Sequence, residues 1–333
     1  MEKNNRVQAA IIGLGRWGQE LVNSTLSTQQ NELFFTHAMT RTKSKVTDYC
    51  NQNGLTLVDS FEDILSERAI KAVVLATPHS QHSEQVIAAA EAGKHVFVEK
   101  PFTLSLADGL AAVKACENAE VSLAVGFNRR FLPAYNQLKE MLTGGKLGIP
   151  LHIEGNFSGP GGNNYTEDMW RGSVTENPAG GMGAMGIHIL DLMIDLMGNV
   201  KTVITNSSRR AVKIPVHDTT TTQIEFYSGA TANLTTMTAT ASTWKLHLYG
   251  SSGSAYLPDQ HKLEFTKIDN TKEITNFDKI DTLALELNAF AQKILGKADY
   301  PVKISEALAG VSTMEAIAKS AKTGLKVEVP SYF

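Results

Sequence analysis

The sequence contains little cysteine and no excess of charge of either sign. Only Cys50 and Cys116 occur among its 333 residues, and the formal net charge is −3. Two cysteines form neither the disulfide framework of a small secreted domain nor a four-thiolate zinc site, so we expect a cytoplasmic protein without a bound metal. The balanced charge gives no reason to expect nucleic acid or an anionic membrane as a partner.

Long apolar runs are also absent. No segment approaches the roughly 18 apolar residues that span a bilayer. The first residues, MEKNNRV, lead directly into a strand-like pattern without the features of a signal peptide. The chain length corresponds to about two domains of roughly 150 residues each.

A glycine-rich turn near the N-terminus indicates a dinucleotide site. The apolar run Val7–Ile12 leads into "GLGRWG", and a helical pattern follows near Trp17–Leu26. In a strand–turn–helix unit of this kind, the first glycine permits the tight turn, the second lets the backbone approach a pyrophosphate, and the third lets the helix pack on the strand. The candidate cofactor-binding residues of this turn are Gly13, Gly15, Arg16, Trp17 and Gly18.

Strand and helix patterns then alternate. Buried strands are predicted at Leu33–Met39, Ala72–Ala76, Val96–Val98 and Val121–Phe127, and helices at Ser80–Ala92, which Gly93 ends, and Ser105–Glu117. This order predicts a doubly wound parallel sheet, in which ligands bind beyond the carboxyl ends of the strands. The segment "HVFVEKPF" ends one such strand, so Glu99 and Lys100 are expected at the ligand-binding edge.

The residues after the second strand favour NADP(H) over NAD(H). Dinucleotide sites commonly carry an acidic residue there for the ribose 2′-hydroxyl, but this chain has "MTRTKSK". Thr40, Arg41 and Lys45 would suit a 2′-phosphate, because a guanidinium binds phosphate through two hydrogen bonds. The alternative is a solvated basic turn.

The segment "ATPHSQH", residues 76–82, is expected beside the nicotinamide. Pro78 forces Thr77 into extended geometry, and Ser80 would cap the following helix. His79 and His82 are cofactor-site candidates, although we favour a capping or surface role over catalysis for both.

The pattern changes after residue 127, which predicts an NAD(P)-binding domain at 1–127 and a substrate-binding and oligomerisation domain at 128–333. A helix is predicted near Pro133–Leu142, followed by alternating strands and a hairpin that turns at Ser228–Ala230. We expect an α+β domain with a mainly antiparallel sheet, and one uncovered sheet face would favour a homo-oligomer.

The long loop at 159–181 is a functional candidate, because loops of that length inside compact domains are usually functional. Tyr165 and Arg171 in this loop could bind substrate hydroxyls. For Tyr165, packing within the loop is an equally good interpretation.

The segment "IHILDLMIDLMG" predicts a buried helix with three polar residues, His188, Asp191 and Asp195. His188 falls in the first turn, where the helix dipole disfavours an imidazolium and leaves the ring able to accept a proton. The alternative is a core histidine that is bonded to a backbone carbonyl.

These motifs together resemble one family, the Gfo/Idh/MocA oxidoreductases. The resemblance covers nearly the whole chain and rests on "GLGRWG", "ATPHSQH", "EKP", "GFNRRF", "MWR", "GGMGAMGIHILD", "HDTTTTQIEFYSGATANL" and "ISEALAGVSTMEAIAKSAKTGLKVEV". It implies an N-terminal Rossmann domain and a C-terminal domain whose open sheet forms homodimer or homotetramer contacts. It also implies NAD(P)-dependent oxidation or reduction of a hydroxyl or carbonyl on a sugar, polyol or related ring.

The resemblance also implies residue roles. Lys100 and His188 match the family's catalytic lysine and histidine, while Glu99, Asn128, Trp170 and Arg171 match residues that line the cofactor or substrate cleft. Many members carry Asp four residues before that histidine, where this chain has Ala184. His188 is then oriented by Asp191 or by the substrate, or else Lys100 carries more of the proton transfer.

The hypothesis is therefore direct hydride transfer between nicotinamide and a secondary carbinol carbon. Two alternatives stay open. One is a non-catalytic NADP(H)-binding sensor on the same fold, for which Ala184 is the best evidence. The other is a dehydrogenase directed at a dihydrodiol or an imine.

Overall fold

The computed structural model describes residues 6–27 and 31–330. Residues 1–5, on which the expectation about a signal peptide partly rests, lie outside the described part. The helices are α1 Arg16–Leu26, α2 Thr47–Gln52, α3 Phe61–Ser66, α4 His82–Glu91, α5 Leu106–Asn118, α6 Pro133–Thr143, α7 Gly186–Met197, α8 Thr282–Ile294 and α9 Ile304–Thr323. The strands are β1 Val7–Ile12, β2 Leu33–Met39, β3 Thr56–Leu57, β4 Ala72–Leu75, β5 His95–Glu99, β6 Leu123–Gly126, β7 Pro150–Ser158, β8 Val200–Ser208, β9 Thr219–Phe226, β10 Thr231–Met237, β11 Thr243–Gly250, β12 Gly253–Asp259, β13 Lys262–Lys267, β14 Lys272–Asn276 and β15 Val327–Glu328.

The chain forms two compact units. The first contains the segment up to Thr103, then Ala107–Asn128 and Asp281–Ile304, and the second contains Leu104–Leu106, Arg129–Ile280 and the segment from Ser305 onward. The change of unit between Asn128 and Arg129 falls one residue after the predicted boundary at 127. A single boundary does not describe the division, however, because Asp281–Ile304 returns to the first unit.

The first unit is built on a six-stranded parallel sheet in the order β3-β2-β1-β4-β5-β6. This confirms the predicted doubly wound sheet. Strands β4 and β6 are buried along their whole length, as expected when both faces of a parallel sheet are covered. Strand order reverses between β1 and β4, and ligands of such sheets bind at that point.

The returning segment packs on this sheet through specific contacts. The ring of Phe290 in α8 lies 5.8 Å from that of Phe97 in β5, and the Tyr300 hydroxyl donates to the Val125 carbonyl at 3.0 Å. These contacts join residues more than 150 positions apart, and they explain why the segment belongs to the first unit.

The second unit is built on a nine-stranded sheet in the order β14-β13-β12-β11-β7-β10-β9-β8-β15. Among its described pairings only β7 with β10 is parallel, which confirms the predicted mostly antiparallel sheet. The predicted hairpin is β9–β10, whose turn contains Gly229 with φ of 86°.

Helix α7 packs on the centre of this sheet. A Cβ built on Gly155 of β7 would lie 2.2 Å from Ile189 and 2.8 Å from Met193, so only glycine lets the helix lie this close. The helix is buried on almost all sides, as its apolar sequence predicts.

Within the described residues, no helix is both long and apolar enough to cross a membrane. The same residues contain no cluster of three or more His, Cys, Asp or Glu side chains that could hold a metal ion.

Candidate functional site

The predicted cofactor residues of the first unit lie along one edge of its sheet. Gly13, Thr40 and Lys100 directly follow β1, β2 and β5, and Thr77 lies two residues after β4. Strands β2, β1, β4 and β5 are consecutive neighbours. The sheet therefore brings these separate sequence segments to its carboxyl edge, at the point where strand order reverses.

The three glycines of the turn have three different environments. Gly13 has φ of 94°, donates from its N–H to the Met39 carbonyl at 2.8 Å, and would place a Cβ 2.5 Å from the Ala76 carbonyl oxygen. A Cβ on Gly18 would lie 2.3 Å from the Gly13 carbonyl oxygen, so the helix packs against the turn only with glycine there. A Cβ on Gly15 would meet no atom of the described residues within 4 Å.

The start of helix α1 fits a diphosphate. Gly15 is its N-cap, and within the described part of the chain no side chain forms a cap hydrogen bond at this end. The first-turn N–H groups of a helix have no acceptor within the helix, and the helix dipole favours an anion beside them. The open space at Gly15 leaves room for the diphosphate of a dinucleotide to approach these N–H groups.

The basic turn after β2 differs among its side chains. Lys43 forms an ion pair with Asp59, so its charge is already balanced within the protein. Thr40 is half-buried, while Arg41 and Lys45 are exposed. Arg41 and Lys45 are thus the cations best placed to bind an anion from solvent.

The loop after β4 is held by internal hydrogen bonds. The Thr77 hydroxyl donates to Gln85 Oε1 at 2.6 Å, and α4 begins at His82 rather than at Ser80. His79 and His82 are both buried, His82 completely. The His82 ring lies between two backbone carbonyls, Pro101 O at 2.9 Å from Nδ1 and Thr77 O at 3.1 Å from Nε2. His82 is thus a buried side chain that connects two backbone segments, which differs from the expected surface or capping role.

Glu99 ends β5 as a buried carboxylate, and Lys100 follows it half-buried. The Lys100 backbone N–H donates to Glu99 Oε2 at 3.3 Å. Gly126 is the register partner of Glu99 on β6, and its Cβ would lie 3.1 Å from Glu99 Oε1. Glycine at 126 therefore leaves room for the carboxylate. Asn128 is buried and donates to the Thr282 hydroxyl at 3.1 Å.

In the second unit, His188 lies in the first turn of α7 and is 5% exposed. Its backbone N–H donates to the Met185 carbonyl at 3.1 Å, and its ring lies 5.8 Å from that of Phe157 in β7. The Arg129 guanidinium lies over the same Phe157 ring at 5.8 Å. The imidazole and a guanidinium thus both lie near the Phe157 ring.

The glycine-rich approach to this helix has a packing explanation. Gly180 has φ of 61° and would place a Cβ 2.4 Å from the His217 carbonyl oxygen. A Cβ on Gly181 would lie 2.7 Å from Thr238, and one on Gly186 would lie 2.4 Å from Met182. These glycines let the chain pass close to β10 and then enter α7.

Asp191 and Asp195, on the same helix, belong to a buried ion-pair network. Arg130 Nε donates to Asp191 Oδ2 at 2.6 Å and Nη2 donates to Oδ1 at 2.8 Å. Arg130 Nη1 lies 2.8 Å from Asp195 and 3.1 Å from Glu306. Burial alone would lower the pKa of Arg130, but Asp191 and Asp195 raise it and keep the guanidinium charged.

Asp191 is therefore reassigned. Both of its carboxylate oxygens accept hydrogen bonds from Arg130, and its side chain is 3% exposed. A substrate hydroxyl has no access to a carboxylate that is buried and bound in this way. The contacts of Asp191 with Arg130 indicate a structural role in place of the predicted substrate-binding role.

The loop at 159–181 is ordered by three short 3₁₀ turns at Gly161–Asn164, Trp170–Gly172 and Gly180–Met182. The exposed Arg171 guanidinium lies 4.2 Å from the Trp170 ring, in a cation–π contact. A Cβ on Gly161 would lie 3.3 Å from the Tyr165 hydroxyl, so Tyr165 packs within its own loop.

Two residues of these sites were not predicted. Arg130 stands in the quoted "GFNRRF" segment, and a signal for it existed, because two carboxylates in an apolar helix require a buried cation. Gly126 had no such signal, because its role depends on strand register.

Comparison with known proteins agrees with this architecture. The model of the oxidoreductase family with an NAD-binding Rossmann fold, GFO_IDH_MocA, matches residues 7–127, and the GFO/IDH/MocA C-terminal domain matches residues 135–256. The scyllo-inositol 2-dehydrogenase (NAD(+)) of Bacillus subtilis (strain 168) is 33% identical over 153 residues, 45% of this chain and 44% of the relative. The D-xylose 1-dehydrogenase (NADP(+)) 2 of Haloferax volcanii is 27% identical over 286 residues, 82% of this chain and 85% of the relative.

A solved structure shares the fold over nearly the whole length. Levoglucosan dehydrogenase in complex with NADH and levoglucosan superimposes with a TM-score of 0.89 at 20% identity, covering 98% of this chain and 100% of that one. The aligned region is less than half the length of the Bacillus relative. Because consecutive family models match both parts of the sequence, the chain belongs to the Gfo/Idh/MocA oxidoreductase family.

Proposed function

We propose that the protein is an oxidoreductase that transfers a hydride between NAD(P)(H) and a secondary hydroxyl or carbonyl of a sugar, polyol or related cyclic substrate. The observation that carries this proposal is the edge of the first unit's sheet. An open glycine turn at an uncapped helix start lies on the same edge as Lys100. Relatives that are named as inositol and xylose dehydrogenases indicate the substrate class.

The bound nicotinamide supplies the hydride acceptor or donor. In the oxidising direction, Lys100 donates a hydrogen bond to the substrate oxygen and stabilises the negative charge that develops there. His188 or Lys100 accepts the hydroxyl proton. Glu99 balances the charge of Lys100, because its carboxylate is adjacent and buried. Arg171, exposed on its loop, binds substrate hydroxyls.

NADP(H) is the proposed preferred cofactor. No acidic residue follows β2 where it would bind a ribose 2′-hydroxyl, and Arg41 and Lys45 are exposed there. A guanidinium binds a phosphate through two hydrogen bonds. One relative is named for NAD and another for NADP, so this chain's own residues carry the preference.

A non-catalytic cofactor sensor is the second candidate, because Ala184 stands where many family members have an aspartate. The experiment follows nicotinamide absorbance across a panel of inositols, aldoses, polyols, cyclic dihydrodiols and imines, beside a fluorescence titration with NADPH. Turnover of a sugar or polyol supports the proposal, and turnover of only a dihydrodiol or imine changes the substrate class. NADPH binding without any turnover favours the sensor.

We also propose that the protein acts in the cytoplasm as a homo-oligomer that associates through the second unit's sheet. Cys50 and Cys116 are free buried thiols, which suits a reducing compartment. Strand register places one row of side chains across the sheet face opposite the core. In order from β8 to β14, the row is Ile204, Gln223, Asn233, Glu154, His247, Tyr256, Glu264 and Ile274.

This row is complementary to itself. Two copies can pack face to face around a two-fold axis that runs parallel to the strands, between β7 and β11. Glu154 of one copy then lies opposite His247 of the other, and Ile204 lies opposite Ile274. Ile204 is 38% exposed and Ile274 is 55% exposed, so association would bury apolar surface at both ends of the row.

Sedimentation velocity tests whether the protein associates through this face of the sheet. Glu154→Lys should dissociate the oligomer because each pair occurs twice, whereas Lys146→Glu, away from the row, should not. A monomeric wild type contradicts it.

A further inference from the structure

The ring of His82 makes two contacts that a neutral imidazole cannot satisfy together. Nδ1 lies 2.9 Å from the Pro101 carbonyl oxygen and Nε2 lies 3.1 Å from the Thr77 carbonyl oxygen. A carbonyl oxygen only accepts hydrogen bonds, and a neutral imidazole has one N–H donor. Both contacts are hydrogen bonds only when both ring nitrogens carry a proton.

The two carbonyls belong to segments that follow neighbouring strands. Thr77 lies in the turn after β4, and Pro101 directly follows Lys100 after β5. The His82 ring therefore bridges the carboxyl ends of two adjacent strands at the cofactor edge of the sheet. The His82 side chain is completely buried and its contact with Pro101 is buried, so water has no access to that contact, whereas the contact with Thr77 is partly buried.

We infer that His82 is held as an imidazolium and is a positioning residue, which fixes the Lys100 backbone against the turn after β4. Its kinetic consequences rest on the proposed function, but its protonation state does not. The role is indirect, because the ring binds backbone carbonyls of its own chain. Losing one N–H removes one of these hydrogen bonds and releases one side of the bridge.

Among the described residues, titratable groups lie beside this ring or close in sequence to the residues that it contacts. His79 lies in the preceding turn, with its ring 5.9 Å from that of His82. Glu99 and Lys100 lie at the end of β5, beside Pro101. Asp108 belongs to α5, and its carbonyl accepts from Ser83 at 3.1 Å. A variant at any of these positions could shift the titration, so the test leaves them unchanged.

The chain contains an internal reference at the opposite end of β5. His95 Nδ1 accepts a hydrogen bond from the Ser122 backbone N–H at 2.9 Å, which requires an unprotonated nitrogen. Burial, with help from Lys71, lowers the pKa of His95. His95 and His82 are thus predicted to show opposite protonation states in one sample.

The test is nitrogen-15 NMR of the full chain labelled at its histidines, with signals assigned by His82→Gln and His95→Gln. We expect both His82 nitrogens to be protonated at pH 7, where an ordinary histidine with a pKa near 6.5 is mostly neutral. His95 should show one protonated nitrogen. A neutral His82 ring at pH 7 overturns the inference, whether or not the protein turns over a sugar.

Kinetics test the positioning role. His82→Phe, which donates no hydrogen bond, should lower kcat by about 100-fold with a smaller change in NADPH affinity, because misplacement of a catalytic group by about 1 Å has that effect. His82→Gln, whose amide has two N–H bonds, should recover part of this loss, and it replaces His82→Phe if the latter does not fold. His95→Gln is the control. If His82→Phe and His82→Gln both have a kcat within about twofold of the kcat of this control, the positioning role is overturned.

Discussion

Arg130 and Asp191 form a buried two-point ion pair one helical turn after His188. The guanidinium holds both carboxylate oxygens at 2.6 and 2.8 Å, and each side chain is 3% exposed. Arg130 also contacts Asp195 and Glu306, while Asp195 accepts from Tyr135 at 2.5 Å and from Lys139 at 2.7 Å. The pair therefore fixes the rotation of α7, and with it the direction in which His188 leaves the helix.

Removing the guanidinium should strongly destabilise the second unit. Arg130→Met leaves buried carboxylates without their cation, and we expect a loss of about 3–5 kcal/mol in the free energy of unfolding, measured in urea. Lys146→Met is the control, because its pair with Glu273 is exposed to solvent and should contribute little to stability. Equal effects of the two substitutions would show that the buried network does not hold the helix.

Two glycines of the same turn should separate folding from cofactor binding. Gly13→Ala should destabilise the fold, because its φ is 94° and the added methyl overlaps the Ala76 carbonyl. Gly15→Ala should fold, because no atom of residues 6–27 or 31–330 lies within 4 Å of the added methyl. It should weaken NADPH binding by about tenfold or more, because the methyl fills the space for the diphosphate. Urea unfolding and NADPH fluorescence titration measure the two effects. Unchanged NADPH affinity in Gly15→Ala would place the cofactor elsewhere.

Arg41 should set the preference for the phosphorylated cofactor. Arg41→Ala should raise the KM for NADPH by about tenfold while the KM for NADH changes little, because only NADPH offers a 2′-phosphate to the guanidinium. Lys43→Ala is the matched control, since Asp59 already holds Lys43. A wild type that prefers NADH, or an equal effect on both cofactors, contradicts the assignment.

Asp218 should make stability fall in acid. Burial acts to raise its pKa, but hydrogen bonds from the backbone N–H groups of Ala211, Val212 and Arg210 lower it to about 2. Because the folded pKa lies below the unfolded value of 3.8, the carboxylate stabilises the fold above about pH 4, and this stability is lost as pH falls towards 2. Urea unfolding should show wild type more stable than Asp218→Asn at pH 6, with the difference shrinking below pH 4. A pH-independent difference would contradict this.

The sequence predicts the first unit well, because buried parallel strands are continuous apolar runs. The structure confirms Val7–Ile12 and Leu33–Met39 to the residue, and extends Val96–Val98 to His95–Glu99. The glycine stop at Gly93 is also confirmed by its φ of 69°. Short elements, such as α2, α3 and β3, have too few residues for a periodic pattern to develop.

Features that depend on distant pairing could not be predicted. The bridge from His82 to Pro101 requires β4 and β5 to be neighbours, and the space at Gly126 requires the register of β6. The return of Asp281–Ile304 to the first unit rests on contacts such as Phe290 with Phe97. No local pattern encodes such contacts.

The measurement that tests the central claim most directly is a double-mutant cycle on kcat with Lys100→Ala and His188→Ala. If the two side chains act on the same substrate oxygen and its proton, each single variant should lose turnover by orders of magnitude while NADPH binding persists. The double variant should then be about as slow as the slower single variant, because groups that act as a unit are not additive. Near-full turnover in Lys100→Ala, or losses that multiply in the double variant, would contradict the account.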